Sequence, residues 1–125
     1  MVNVGELDKA IDSHGTWKSR LQLVIATGRT DTPVEILRQD NQCAFGKWLY
    51  GPAFASMDKA SIHYQMVKNL HAEFHCMAAL VATMALDGEN REAEGMLQHH
   101  YDEFAELSTR LTRAMVEWKK VLMQE

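Results

Sequence analysis

His71 and His75 stand four residues apart in a stretch whose apolar spacing predicts a helix. On a helix, side chains at i and i+4 project from one face a turn apart, so both imidazoles can reach a single metal ion. Spacing alone is weak evidence, because such pairs also occur by chance on helix surfaces. Two features add weight. The pair borders an apolar stripe of Leu70, Phe74, Met77 and Ala78, and His14 lies between Ile11 and Trp17 on the apolar side of another helical segment. Three histidines directed at one core need a reason, because burying a polar ring without a partner costs roughly 1–3 kcal/mol.

Cys43 is the fourth candidate. It sits in the run Asp40-Asn41-Gln42-Cys43-Ala44-Phe45-Gly46-Lys47-Trp48, near the start of a short predicted helix. A helix N-terminus favours negative charge and is expected to lower the thiol pKa. Three imidazoles and one thiolate make a tetrahedral donor set suited to zinc. Trp17 and Trp48 read as walls of such a site, and Gly46 as a point of close backbone approach. Cys76 follows His75 directly, so one helical step turns it about 100° away; it reads as a core cysteine. His100 occupies a seam position and reads as a core histidine, with a supporting or dimer contact as the alternative. His63 and His99 read as exposed.

The elements that must position these residues are helical. Leu7, Ala10, Ile11, Trp17, Leu21, Val24 and Ile25 recur in threes and fours, predicting a helix from about Gly5 to Ala26 that Gly28 caps. Thr32-Pro33 opens a short helix through Leu37. Asp40-Asn41 offers an N-cap for a second, over Cys43 to Tyr50, that Gly51-Pro52 ends. A long helix is expected from Ser56 to Leu86, with Met66, Val67, Leu70, Phe74, Met77, Leu80, Val81 and Met84 inward. Asp87-Gly88 breaks it. The last helix is expected from Arg91 to Met123, along a seam of Leu97, His100, Phe104, Leu107, Leu111, Ala114, Trp118 and Val121. A short connection makes the last two helices antiparallel. The fold expected is an all-α antiparallel four-helix-type bundle, with a short helical segment carrying Cys43.

The 125 residues fit one domain, 1–125, long enough to bury a core without disulfides. The net charge of −4 gives no reason to expect nucleic acid or an anionic membrane surface as partner. No apolar run approaches the length that crosses a bilayer, and the acid-bearing start, Met1 to Asp8, is not a signal peptide. Two cysteines do not make a disulfide framework, so a reducing cytoplasm is expected. The eight methionines suit a pliable core or interface.

The pattern His14-x-x-Trp17-x-x-x-Leu21, then Cys43-x-Phe45-Gly46-x-Trp48-Leu49, then His71-x-x-x-His75 resembles the chemoreceptor zinc-binding (CZB) domain family. The resemblance runs from about Leu7 to Val121, and the cysteine block is its most specific part. It implies zinc held by His14, Cys43, His71 and His75, and a bundle of about four helices that is usually a homodimer. It implies attachment to bacterial chemoreceptors or diguanylate cyclases, and a response to zinc or to oxidants such as hypochlorous acid. The chain has no methyl-accepting coiled coil and no cyclase signature, so a stand-alone member or the sensory piece of a longer protein is expected. The exposed parts of the first and last long helices are the expected dimer surface.

Three other functions compete. A zinc hydrolase would use His71-Ala72-Glu73-Phe74-His75 as a zincin does, but Glu73 lies about 200° around the helix from His71 and misses the general-base position. A hemerythrin-like di-iron, oxygen-binding bundle gains slight support from His71/His75 and His99/Glu103, but lacks the further ligands. A bundle without metal leaves the inward histidines unexplained. A closed four-ligand shell leaves no place for substrate, so a regulatory domain rather than an enzyme is expected.

Overall fold

Gly28 ends the first helical region as its sequence position predicts: its φ is 69° and its N–H donates to the Val24 carbonyl at 2.8 Å. Glycine enters this left-handed conformation without the Cβ penalty. The computed structural model describes residues 4–30, 32–52, 54, 59–98 and 103–124. Its helices are α1 (Val4–Gly15), α2 (Trp17–Thr27), α3 (Val34–Arg38), α4 (Ala44–Leu49), α5 (Ile62–Leu86), α6 (Asn90–Gln98) and α7 (Glu103–Met123), with no strand among the described residues. The all-α bundle is as expected.

Several boundaries differ from the sequence reading for local reasons. The single helix expected over Gly5–Ala26 is interrupted at Thr16, whose N–H and hydroxyl both turn to the Ser13 carbonyl, at 3.2 and 2.8 Å. That bond three residues back tightens the turn locally. The cap of α4 is Cys43 itself, not Asp40 or Asn41: its sulfur accepts the Gly46 N–H at 3.3 Å. The long helix starts at Ile62 rather than Ser56, because the Ser61 hydroxyl accepts the His63 N–H at 3.2 Å and caps it there. The continuity expected between Gln98 and Glu103, with His99 and His100, lies outside the described residues.

α5 packs against α2, α3, α6 and α7, and α1 against α4 and α7. Tyr64 meets Trp118, and Phe74 meets Phe104, at ring separations of 6.0 and 5.2 Å. Rising numbers on α5 meet falling numbers on α7, so the two run antiparallel. Phe74 and Leu111 are fully buried between the helices, and each such side chain contributes about 1.5–3 kcal/mol.

The buried arc of α5 is rich in alanine: Ala78, Ala79, Ala82 and Ala85 are all covered. This choice of arc turns Met66 and Leu80 outward, against expectation, and leaves Cys76 exposed rather than in the core. Val121, expected on the inward seam of the last helix, is also exposed. His63 is half-buried.

Candidate metal centre

Three features of the fold deliver the four predicted side chains. His14 comes from the last turn of α1, Cys43 from the cap of α4, and His71 and His75 from successive turns of α5. The structure brings all four together: one donor atom from each lies within 4.8 Å of every other. His71 Nε2 and His75 Nε2 are 3.1 Å apart, and the Cys43 sulfur is 3.4 and 3.5 Å from them. Zinc bonds of roughly 2.0–2.1 Å to nitrogen and 2.3 Å to sulfur give tetrahedral edges of about 3.3 Å between nitrogens and about 3.6 Å between nitrogen and sulfur. The three edges among Cys43, His71 and His75 fit that figure.

Hydrogen bonding sets which ring nitrogens are free. His14 Nδ1 lies 2.8 Å from the Ala10 carbonyl and His75 Nδ1 lies 2.9 Å from the Leu37 carbonyl. A carbonyl only accepts, so each Nδ1 carries the hydrogen and each Nε2 presents a lone pair to the cluster. His14 Nε2 is buried without a hydrogen-bond partner, as is His71 Nδ1. A buried nitrogen left without a partner is costly; for His14 Nε2, beside the other three candidate ligands, a bound cation would remove the cost. The donor set therefore fits zinc.

The electrostatics agree. Burial holds the His71 pKa down at about 2, helped by the charges of His75 and His14. Burial also lowers His14 to about 4, against the bond to the Ala10 carbonyl. His75 is lowered by burial too, opposed by its bond to Leu37. All three rings are thus neutral near pH 7, as ligands must be. Cys43 departs from expectation. Burial raises its pKa, and the N–H groups of Gly46 and Phe45 only partly oppose that. The helix N-terminus does not make a thiolate by itself; a cation held by these residues would supply the charge that favours loss of the Cys43 proton.

The surrounding wall is aromatic. Trp17 is buried and meets His75 and Phe74 edge-on at 5.8 and 6.0 Å, and the Arg20 guanidinium lies over its indole at 4.1 Å. Phe45 meets His71 at 5.1 Å, and Trp48 packs behind it on Phe54 and Trp118. Gly46 is the close approach the sequence suggested, made to the Asp40 backbone.

Two contributors escaped sequence reasoning. The Leu37 carbonyl orients His75, but a backbone acceptor has no signature in residue type. Tyr64 donates its hydroxyl to the Leu49 carbonyl at 2.8 Å, tying the end of α4 to the helix that carries both α5 histidines; only its place one turn inside a cap hinted at it. Glu73 is exposed in a groove with Arg110 and Arg113 that none of the four cluster residues lines. Among the described residues no helix is long and apolar enough to cross a membrane.

No curated protein and no solved structure is significantly similar to the chain. The family described as the chemoreceptor zinc-binding domain matches residues 14–82. That span opens at His14 and contains Cys43, His71 and His75, the whole of the cluster. The chain therefore belongs to the chemoreceptor zinc-binding domain family and carries a cluster suited to its zinc ion.

Proposed function

We propose that His14, Cys43, His71 and His75 together ligate one zinc ion, and that the chain is a regulatory rather than a catalytic domain, functioning as one unit over residues 1–125. The observation that carries this reading is the clustered donor set: three buried imidazoles and one half-buried sulfur whose donor atoms all lie within 4.8 Å of one another. Four protein donors leave no position for a substrate or an activated water. The Ala10 and Leu37 carbonyls hold two rings in the ligating tautomer, and the aromatic wall keeps water from the histidine side.

The signal enters at Cys43, the least buried of the four. Hypochlorous acid would oxidise its thiolate to sulfenic acid with release of chloride, and a sulfenic acid is a poor zinc ligand. Loss of the Cys43 donor loosens the N-terminal end of α4 from α5, leaving the Tyr64–Leu49 bond at its other end, and changes how α1 is held. A homodimeric assembly in the cytoplasm would pass that change to a bacterial chemoreceptor or diguanylate cyclase partner.

The test has two arms. Elemental analysis of protein purified without chelator should find one zinc per chain; protein that holds none and gains none on titration overturns the reading. Titration with hypochlorous acid, followed by a chromophoric zinc chelator, should release zinc in step with loss of the Cys43 thiol. Release by zinc-depleted buffer alone, with no response to oxidant, would assign the domain to zinc concentration instead.

A further inference from the structure

Among the described residues, one face of α5 has no packing partner. Ile62, Met66, Asn69, Glu73, Cys76 and Leu80 are all exposed, Ile62 at 71%. Their steps are four, three, four, three and four, so at about 100° per residue they fall within about 80° of arc. The stripe is about 27 Å long at 1.5 Å per residue. Such a three-and-four pattern belongs to a helix that packs on another helix. Inside the molecule, however, α5 already uses a different arc.

The order of residues along this stripe names the occupant. The spacing reads the same in both directions, so an antiparallel copy places Ile62 opposite Leu80, Met66 opposite Cys76, and Asn69 opposite Glu73. Apolar side chains then meet apolar or thiol side chains, and no glutamate faces its own copy. Beside the stripe, α7 contributes Arg110, Arg113 and Glu117 to a groove that also contains Asn69 and Glu73. In this register Glu73 of the second copy arrives at the level of Asn69, so its carboxylate meets an amide rather than another carboxylate. A surface whose apolar, polar and charged positions complement themselves under a two-fold axis is an isologous interface. By contrast, α1 exposes Asp8, Lys9, Asp12 and Ser13, a solvated face.

We infer that two copies of the chain pair through the outer face of α5, antiparallel, in the register that sets Met66 of one copy against Cys76 of the other, with α7 flanking. The inference rests on the homodimeric assembly proposed above and names its surface, which moves from the first helix to α5. It places Cys76 across from a methionine and about 15 Å along the axis from its own copy. That separation is beyond the roughly 7 Å limit between α-carbons for a disulfide.

The test is disulfide trapping in zinc-loaded full-length protein, with oligomeric state read by light scattering and zinc content by elemental analysis. Met66→Cys should give a covalent dimer under mild oxidation. Met66→Cys with Cys76→Ala should lose it. Wild type, and Leu23→Cys on the exposed face of α2, should give none. A dimer by light scattering that Met66→Cys does not trap overturns the α5 face alone, and strong wild-type trapping through Cys76 overturns the register. A monomer at all concentrations overturns both this inference and the homodimer on which it rests, leaving the face to a helix of another protein. Zinc content separates all of these from failure of the metal site.

Discussion

The Asp40 carbonyl lies directly over Gly46: a Cβ added to Gly46 would stand 1.7 Å from that oxygen. The same tight turn makes the Cys43 sulfur the acceptor of the Gly46 N–H. Gly46→Ala therefore cannot be absorbed by a side-chain rotation, because the obstacle is backbone. It should lower stability by about 1–3 kcal/mol or more and weaken zinc binding by displacing Cys43. Thermal unfolding and a competitive zinc titration check this. An alanine variant with wild-type zinc affinity would show that the sulfur position does not depend on the turn.

The two cysteines should separate cleanly. Cys43 is half-buried at the cluster, while Cys76 is exposed. Cys43→Ala should reduce zinc affinity by more than the roughly 10–100-fold that losing a mere supporting partner costs. Cys76→Ala should leave zinc affinity unchanged. Equal effects in a chromophoric chelator competition would show that the ligand assignment is wrong.

Much of this candidate site was legible because a metal-ligand set would leave a residue-type signature at helical spacing. His71 and His75 share a face by period alone, and His14 declared itself by sitting among apolar neighbours. The fold class followed from long three-and-four stripes with few glycines and prolines. What was missed has a common cause. The direction of Cys76 and Met66 depends on which arc of α5 the bundle buries, and that was decided by alanines, which carry little weight in a search for large apolar residues. The start of α5 at Ser61 is a capping choice between similar polar residues. The Leu37 carbonyl and the Thr16 turn are backbone events that no side-chain pattern encodes. The thiol of Cys43 was expected to ionise at its helix N-terminus, but desolvation outweighs three local N–H groups.

Removing the metal should make stability strongly dependent on pH. In the folded chain burial lowers His14 to about 4 and His71 to about 2, and His75 is lowered as well, all from an ordinary value of 6.5. The unfolded chain therefore takes up protons first as pH falls. The stability these rings contribute is complete above pH 6.5 and is lost as pH drops towards the folded values. Each ring can lose at most about 2 kcal/mol between pH 6.5 and pH 5, at about 1.4 kcal/mol per unit. Urea midpoints of chelator-treated protein should fall across this window. A flat profile would mean that the rings are not buried as neutral groups without zinc. The zinc-loaded protein should resist acid until protons displace the ligands.

Tyr64 offers a test of whether the cap of α4 is positioned from α5. Its hydroxyl bonds the Leu49 carbonyl at 2.8 Å in a buried setting. Tyr64→Phe keeps the ring among Phe54 and Trp118 but strands that carbonyl, at a cost of about 1–3 kcal/mol. A purely structural loss would act on zinc affinity only through the fraction of unfolded chain. Ser61→Ala provides the comparison: it removes the α5 cap at about 1 kcal/mol without touching α4. At matched stability, reached by adjusting urea, Tyr64→Phe should still bind zinc more weakly than Ser61→Ala, because α4 is then free to shift Cys43 relative to His71 and His75. If the two variants bind zinc alike once stability is matched, Tyr64 only holds the bundle together and does not position the sulfur.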